Sequence, residues 1–161
     1  MKIIFLDIDG VLNTEKYIME RFNQHLSIHD ENNVSLFDPE MIEKLNKIIN
    51  ETGAKIVISS CWRILYTLEE LRNIWIEREI LGEIIDRTPI TSMIRGKEVE
   101  YWLNKYGDKV DSYVILDDDT DFLSSQFRNL VVTSWKDGMS DEHVKKAISI
   151  LNEQCKQDIK T

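Results

Sequence analysis

Short apolar runs alternate with helical patterns along most of this chain, and this alternation is the feature that most limits how it can fold. The runs occupy residues 3–6, 55–60, 83–87, 112–116 and 130–133. A short continuous apolar run is typical of a strand that is buried on both faces of a parallel sheet. Strands that alternate with helices form such a sheet, with helices on both faces. We therefore predict an α/β, Rossmann-like domain with a parallel sheet of about five strands.

Helical patterns fill the intervals between these runs. Asp38 followed by Pro39 has the pattern of an N-cap and a first-turn proline, and Gly53 is a typical residue just after a helix. Further helices are predicted for residues 67–81, 96–106 and 141–155. Trp75 and Trp102 lie at helical spacing from other apolar residues, so we predict that both belong to the core.

Residues 13–37 are polar, and their apolar side chains follow neither a helical nor a strand period. We predict an irregular flap here, in place of a large cap. The chain of 161 residues has the usual size of one domain, and its apolar content of 42% is enough for one core. We therefore predict a single domain over residues 1–161, with residues 13–37 as an insertion.

The net charge of −9 and the isoelectric point near 4.9 disfavour a broad electropositive surface. Loose binding to nucleic acid or to anionic membranes is therefore not the expected main activity, although a local basic pocket is compatible with this charge. Cys61 and Cys155 lack the spacing of a zinc site, which indicates a reducing compartment without disulfides. The N-terminal apolar run is too short for a signal peptide. We expect a cytoplasmic protein without a membrane partner or an obligatory protein partner.

Polar residues follow three of the predicted strands. Asp7 and Asp9 follow the first strand, Ser59 and Ser60 end the second, and residues 117–119 are three consecutive aspartates after the fourth. The carboxyl ends of parallel strands lie at one edge of the sheet, so these side chains should converge. Several carboxylates at one edge repel one another unless a hard cation lies among them. Magnesium is the expected ion, because it needs few protein ligands and leaves room for water and a phosphate.

Four segments carry these polar residues in a recognisable order. They are residues 7–13 (DIDGVLN), Ser60, Arg95 or Lys97, and the pair Asp117 and Asp118. Their order and spacing resemble the four motifs of haloacid dehalogenase-like phosphatases. Within that superfamily, residues 58–63 (ISSCWR), 95–99 (RGKEV) and 116–118 (LDD) are similar to the small domains associated with RNA repair proteins.

This resemblance implies a phosphatase mechanism in which Asp7 attacks phosphorus and forms an aspartyl-phosphate. Asp9 lies two residues further, on the same side of the extended chain, and would protonate the leaving oxygen and later activate water. Gly10 would let the backbone turn sharply beside the phosphate. An acid at the position of Asp9 suits a phosphatase, because relatives that pump ions or dehalogenate carry other residues there.

The resemblance also implies groups that hold the phosphoryl group of the substrate. Ser60 would donate a hydrogen bond to a phosphoryl oxygen, with Ser59 as the competitor, and strand polarity favours the later residue. Arg95 or Lys97 would offset negative charge. The narrower resemblance favours Arg95, and Lys97 has the alternative of being a cation on the helix surface.

The implied magnesium ligands come from two of the motifs. They are Asp7, the backbone carbonyl of Asp9, Asp117 and Asp118, with Asp118 as a direct ligand or a supporter of one. Asp121 is an alternative to Asp118 as the second acidic group. Asp119 is the expected bystander of the aspartate run.

The expected reaction is hydrolysis of a phosphate monoester, and the expected substrate is a phosphorylated small molecule or a nucleic-acid end. Trp62 and Arg63 follow the second strand and are candidates for substrate contact, with a packed Trp and a structural ion pair as equal alternatives. Two other functions fit the same fold. One is a phosphoacceptor signalling domain, in which phosphate persists on an aspartate, and the other is a binding module without activity.

Overall fold

The computed structural model describes residues 1–153 and contains five parallel strands in one sheet. The strands are β1 (Lys2–Leu6), β2 (Lys55–Ile58), β3 (Ile84–Arg87), β4 (Ser112–Asp117) and β5 (Leu130–Val132). Their order across the sheet is β3-β2-β1-β4-β5, and every pairing is parallel. The predicted α/β, Rossmann-like architecture with five parallel strands is confirmed.

Six α-helices connect and cover these strands. They are α1 (Glu15–Asn23), α2 (Pro39–Thr52), α3 (Trp62–Leu65), α4 (Leu68–Glu77), α5 (Arg95–Tyr106) and α6 (Asp141–Asn152). The predicted boundaries of α2 are confirmed, because Asp38 accepts a hydrogen bond from the Glu40 amide and Gly53 adopts a left-handed conformation with φ of 67°. The predicted end of the last helix at Cys155 lies outside the described residues.

The sheet is covered on both faces, as side-chain alternation along its strands requires. Ile4 and Leu6 of β1 belong to the larger apolar cluster, which includes residues of α2, α4 and α6. Ile3 and Phe5 point the opposite way, into a smaller cluster with α5. There Phe5 meets Trp102 edge to face, with ring centroids 5.4 Å apart. Because both faces of β1 are buried, its carboxyl end is fixed firmly in place.

The segment of residues 13–37 differs from its prediction, because residues 15–23 form the helix α1 and not an irregular loop. Its nine residues are all at least partly exposed, so there was no buried face to give a helical period. Local signals define it instead. Thr14 caps it by accepting a hydrogen bond from the Tyr17 amide at 3.1 Å, and Arg21 lies in its last turn.

Strand register brings three strand ends level with one another. Leu6, the last residue of β1, pairs with Ile58 of β2 on one side and with Leu116 of β4 on the other. The next residues along β2 and β4, Ser59 and Asp117, therefore lie on either side of Asp7.

Within residues 1–153, none of the helices is both long enough and apolar enough to cross a bilayer.

Candidate active site

An arginine bridges two aspartates at the carboxyl edge of the sheet. Asp7 follows β1, and Asp117 is the last residue of β4. Arg95, the first residue of α5, places its Nη1 atom 2.9 Å from Asp7 Oδ2 and 2.6 Å from Asp117 Oδ2. The Asp7 amide donates to the Leu116 carbonyl at 2.9 Å, which continues the β1–β4 ladder and fixes the position of the Asp7 side chain.

A third carboxylate joins this pair, so negative charge exceeds positive charge. Asp7, Asp117 and Asp118 each offer one oxygen, and these atoms all lie within 4.8 Å of one another. Burial, followed by the charge of Asp7, raises the pKa of Asp117 to about 7. The same two causes raise the pKa of Asp118. A hard divalent cation fits these oxygen donors and would relieve their repulsion.

Gly10 allows Asp118 to reach this cluster. A Cβ atom at Gly10 would lie 2.4 Å from Asp118 Cγ, which is closer than atoms can approach. Gly10 also has a φ of 78°, in the left-handed region that favours glycine. Its carbonyl accepts a hydrogen bond from Thr133 Oγ1 at 2.8 Å. The predicted sharp turn at this position is therefore present and is held from the neighbouring β5 side.

Asp9 stands apart from the acidic cluster and has its own two donors. Its Oδ1 accepts a hydrogen bond from Asn13 Nδ2 at 2.9 Å, and its Oδ2 accepts one from Trp62 Nε1 at 3.0 Å. Trp62 is buried and packs against Phe37 with ring centroids 5.4 Å apart. Trp62 is therefore packed in the core, which is one of the two alternatives predicted for it, and it also orients Asp9. Sequence reasoning did not assign a role to Asn13, although it lies inside the first motif.

The two serines after β2 differ in how their hydroxyls are used. Ser59 lies beside Asp7, because its amide donates to the Leu6 carbonyl at 2.9 Å. Its buried hydroxyl has no hydrogen-bond partner within residues 1–153. Ser60 Oγ accepts a hydrogen bond from the Trp62 amide at 3.3 Å and so takes part in the start of α3. Because β2 ends at Ile58, the alternation of side chains along the strand does not decide between the two serines. Of their two hydroxyls, that of Ser59 is the one without a partner.

Arg63 is a buried ion-pair partner of Glu98 and not a free cation at the site. Its Nη1 donates to the carbonyls of Ser59 and Ser60 at 2.6 and 2.7 Å, and its Nη2 pairs with Glu98. Nη1 and Nη2 of Arg63 therefore take part in the structural ion pair, one of the predicted alternatives, and its buried Nε has no hydrogen-bond partner within residues 1–153. Sequence reasoning missed Glu98, which lies 35 residues further along the chain.

Comparison with known proteins agrees with this arrangement. Residues 3–144 match the family described as the HAD domain in Swiss Army Knife RNA repair proteins, where HAD denotes haloacid dehalogenase. The chain belongs to this family. The matched range includes every residue of the site described above. Neither the comparison with curated proteins nor the comparison with solved structures found a match. The family supports a HAD-type phosphatase at the level of the superfamily.

Two alternatives within this HAD domain are distinguished by side-chain position. Asp118 joins the acidic cluster, whereas Asp121 accepts a hydrogen bond from the Arg95 amide at 3.1 Å and holds the start of α5. Arg95 contacts the two aspartates, and Lys97 is exposed on the helix surface. Asp119 is exposed, and its amide donates to Asp117 Oδ1 at 2.9 Å.

Proposed function

We propose that this HAD domain hydrolyses phosphate monoesters with magnesium through an aspartyl-phosphate on Asp7. The observation that supports this most is the cluster of Asp7, Asp117 and Asp118 around Arg95, beside the free hydroxyl of Ser59. Carboxylates in excess suit a hard cation, and a buried hydroxyl and a guanidinium suit phosphoryl oxygens.

The reaction has two steps that use the same pair of aspartates. In the first step, a carboxylate oxygen of Asp7 forms a bond to phosphorus while the bond from phosphorus to the leaving oxygen breaks. Asp9 gives its proton to that leaving oxygen. In the second step, a water oxygen forms a bond to phosphorus while the bond from phosphorus to the Asp7 oxygen breaks, and Asp9 takes a proton from the water. Inorganic phosphate leaves, and the Asp7 carboxylate is regenerated. Asn13 and Trp62 keep Asp9 in place through both steps.

Magnesium would be held by Asp7, the carbonyl of Asp9, Asp117 and Asp118. When bound, it supplies positive charge to the phosphoryl oxygens and to the carboxylates around them. Arg95 would add a fixed positive charge from the start of α5, and the Ser59 hydroxyl would donate to a phosphoryl oxygen. Ser60 would contribute by shaping the turn that presents Ser59.

We further propose that the substrates are phosphates at the ends of nucleotides or short polynucleotides. The family description, which names RNA repair proteins, supports this class. The small insertion of residues 13–37 supports it too, because it leaves α1 largely exposed instead of forming a closed cap. The net charge of −9 opposes tight binding of long polyanions. Weak binding with modest salt dependence is therefore expected.

Release of phosphate from an aryl phosphate tests the proposed reaction. With magnesium, the wild-type protein should release phosphate in many turnovers, and a chelator should abolish this release. Asp7→Asn should be inactive, whereas the exposed Asp119→Asn should retain most of its activity. A phosphoacceptor signalling domain would instead take up about one phosphate per chain and retain it. A binding module would release none, and either result would overturn the proposal.

Substrate class is tested separately, at matched concentrations. Oligonucleotides with a 3′- or 5′-phosphate should be hydrolysed with a higher kcat/KM than sugar phosphates and phosphopeptides. A clear preference for sugar phosphates or phosphopeptides would overturn the nucleic-acid assignment and leave the phosphatase assignment intact.

A further inference from the structure

We propose that a groove between β3 and α5 binds the nucleotide that adjoins the terminal phosphate of a single-stranded substrate. This inference rests on the proposed function. The groove has a volume of about 300 Å³ and lies between residues 86–90 on one side and residues 101–106 on the other. It provides aromatic and cationic groups together, which is the combination that single-stranded nucleic acid requires.

The groove begins close to the site of phosphoryl transfer. The Thr88 amide donates to the Ile58 carbonyl at 2.9 Å, so Thr88 lies beside the turn that carries Ser59. Asp7 is one strand further across the sheet. Neighbouring strands are about 4.8 Å apart, which places Thr88 roughly 10 Å from Asp7. A phosphate at Asp7 would therefore leave the rest of its nucleotide, or the next one, at the mouth of the groove.

The lining of the groove includes a buried polar group without a partner. Thr88 is 1% exposed, and its hydroxyl has no hydrogen-bond partner within residues 1–153. A buried hydroxyl without a partner is costly, so a ligand that supplies one would be stabilised. Ribose hydroxyls and the polar edges of bases both offer such a partner.

The outer part of the groove offers surfaces on which a base can stack. Tyr101 is 56% exposed on α5, and Ile90 is 60% exposed on the opposite side. The rings of Trp102 and Tyr106 also line the groove, with centroids 4.8 Å apart. Trp102 Nε1 donates to Asp86 Oδ2 at 2.8 Å, which fixes the indole in the wall. Stacking of a base on an exposed aromatic ring contributes about 1–3 kcal/mol and tolerates any sequence.

The charge of the lining suits a phosphate backbone despite the acidic chain. Arg87 and Lys105 provide two cations, against one acid, Asp86. Lys105 Nζ lies 5.0 Å from the centroid of the Tyr106 ring, which keeps the ammonium beside the aromatic surface. Arg87 Nη1 donates to the carbonyls of Arg63 and Tyr66 at 2.8 and 3.1 Å, so this cation is held rigidly at the rim.

The direct test is binding of a fluorescent single-stranded oligonucleotide with a terminal phosphate, followed by anisotropy. Asp7→Asn serves as the background, so that the substrate is not consumed. On this background we expect Tyr101→Ala to raise Kd about 5-fold or more, the lower end of the stacking range. Lys105→Gln should also weaken binding. It should reduce the slope of log Kd against log salt concentration by about 1, the value for the loss of one phosphate contact. The matched controls are Phe127→Ala, an exposed aromatic elsewhere, and Lys47→Gln, on α2 against the opposite face of the sheet.

The two proposals fail in different ways. Both groove variants, with Asp7 intact, should hydrolyse an aryl phosphate at the wild-type rate and lose kcat/KM only for oligonucleotides. Unchanged oligonucleotide affinity in both variants, or no binding by the parent protein, would overturn the groove assignment whatever the enzyme activity. Absence of aryl phosphate hydrolysis in the wild type would overturn the proposed function, and the binding measurement would still decide the groove.

Discussion

Arg63 is buried and Arg95 is half-buried at the carboxyl edge of the sheet, and the groups around them differ in number and in charge. Arg63 has one carboxylate, that of Glu98, and two backbone carbonyls. Arg95 has two carboxylates, and the third member of the acidic cluster lies beside them. Burial lowers the pKa of Arg63, and the charge of Glu98 offsets this only in part. Burial acts in the same direction on Arg95, but Asp7 and Asp117 outweigh it and raise its pKa.

This difference separates a structural ion pair from the cluster to which we assign the reaction. The pair of Arg63 and Glu98 is neutral overall, and the two side chains form hydrogen bonds with the backbone of two different loops. Glu98 Oε1 accepts hydrogen bonds from the Thr91 and Ser92 amides at 3.0 and 3.2 Å, just before α5. It therefore connects the Ser59 turn with the helix that carries Arg95. The cluster around Arg95 keeps an excess of negative charge, which a bound cation would balance.

Removing the proposed nucleophile, Asp7, should have the largest effect. Asp7→Asn should lower kcat by several orders of magnitude while the protein stays folded, because an amide is a poor nucleophile. Steady-state kinetics together with circular dichroism would check this. Activity above about a tenth of the wild-type value would show that Asp7 is not the nucleophile.

Replacing the proposed acid/base group, Asp9, should have the next largest effect. Asp9→Asn should lower kcat about 100-fold to 10,000-fold, and the loss in phosphoenzyme formation should be smaller for substrates with acidic leaving groups. Presteady-state rates for an aryl phosphate and an alkyl phosphate provide the comparison. Equal losses for good and poor leaving groups would remove Asp9 from the acid role.

Breaking the structural pair should change stability more than chemistry. Glu98→Gln leaves a buried, uncompensated guanidinium and should lower the free energy of unfolding by about 3–5 kcal/mol. The exposed Glu100→Gln on the same helix is the matched control for urea unfolding. The double variant Arg63→Met/Glu98→Met should be less destabilised than the sum of its single changes. A loss below about 1 kcal/mol in Glu98→Gln would contradict the structural role.

Metal dependence should distinguish the two neighbouring aspartates of the cluster. Asp117→Ala should raise the half-saturating magnesium concentration by at least about tenfold, and by more than Asp118→Ala does. Asp117 is fully buried and is the last residue of β4, so no neighbouring group or water can easily take over its role as a ligand. Activity titrated against magnesium in both variants decides this. An unchanged requirement in the Asp117 variant would contradict its assignment as a ligand.

A third ion pair, nearer the surface, should have the smallest effect. Burial acts to raise the pKa of Asp30, but hydrogen bonds from Arg78 and the backbone outweigh it and lower the pKa. Because the folded-state pKa lies below the unfolded one of about 3.9, the stabilisation is complete well above pH 4 and is lost as pH falls through the folded value. Unfolding curves of Asp30→Asn should lose this pH dependence. If the difference in the free energy of unfolding between wild type and variant were the same at low and neutral pH, this prediction would be contradicted.

The sheet and its reactive edge could be predicted because their signals are local. Each buried strand is an apolar run, and the residue after it must lie at the edge, so Asp7, Asp117 and Asp118 converge as expected. The helix α1 could not be predicted from periodicity, since it buries none of its faces fully. Sequence order likewise gives no sign that Glu98 reaches Arg63, because that contact depends on how α5 packs against β2.

The orientation of individual side chains also could not be predicted from the sequence. The choice between Ser59 and Ser60 depended on where β2 ends, and strand ends are not fixed by composition. Asn13 and Trp62 converge on Asp9 from residues 4 and 53 positions away. They belong to two separate segments, residues 7–13 and residues 58–63, and the spacing of these segments does not show that the two side chains meet at Asp9.

The central claim is that Asp7 carries the phosphoryl group during turnover, and trapping that intermediate tests it most directly. Wild-type protein is mixed with an aryl phosphate and magnesium, quenched rapidly in acid and analysed by intact and peptide mass spectrometry. We predict a mass increase of one phosphoryl group on the peptide that contains Asp7, transient in time and absent in Asp7→Asn. Steady hydrolysis with no phosphorylated protein at any time, or a phosphoryl group on a different residue, would contradict the account.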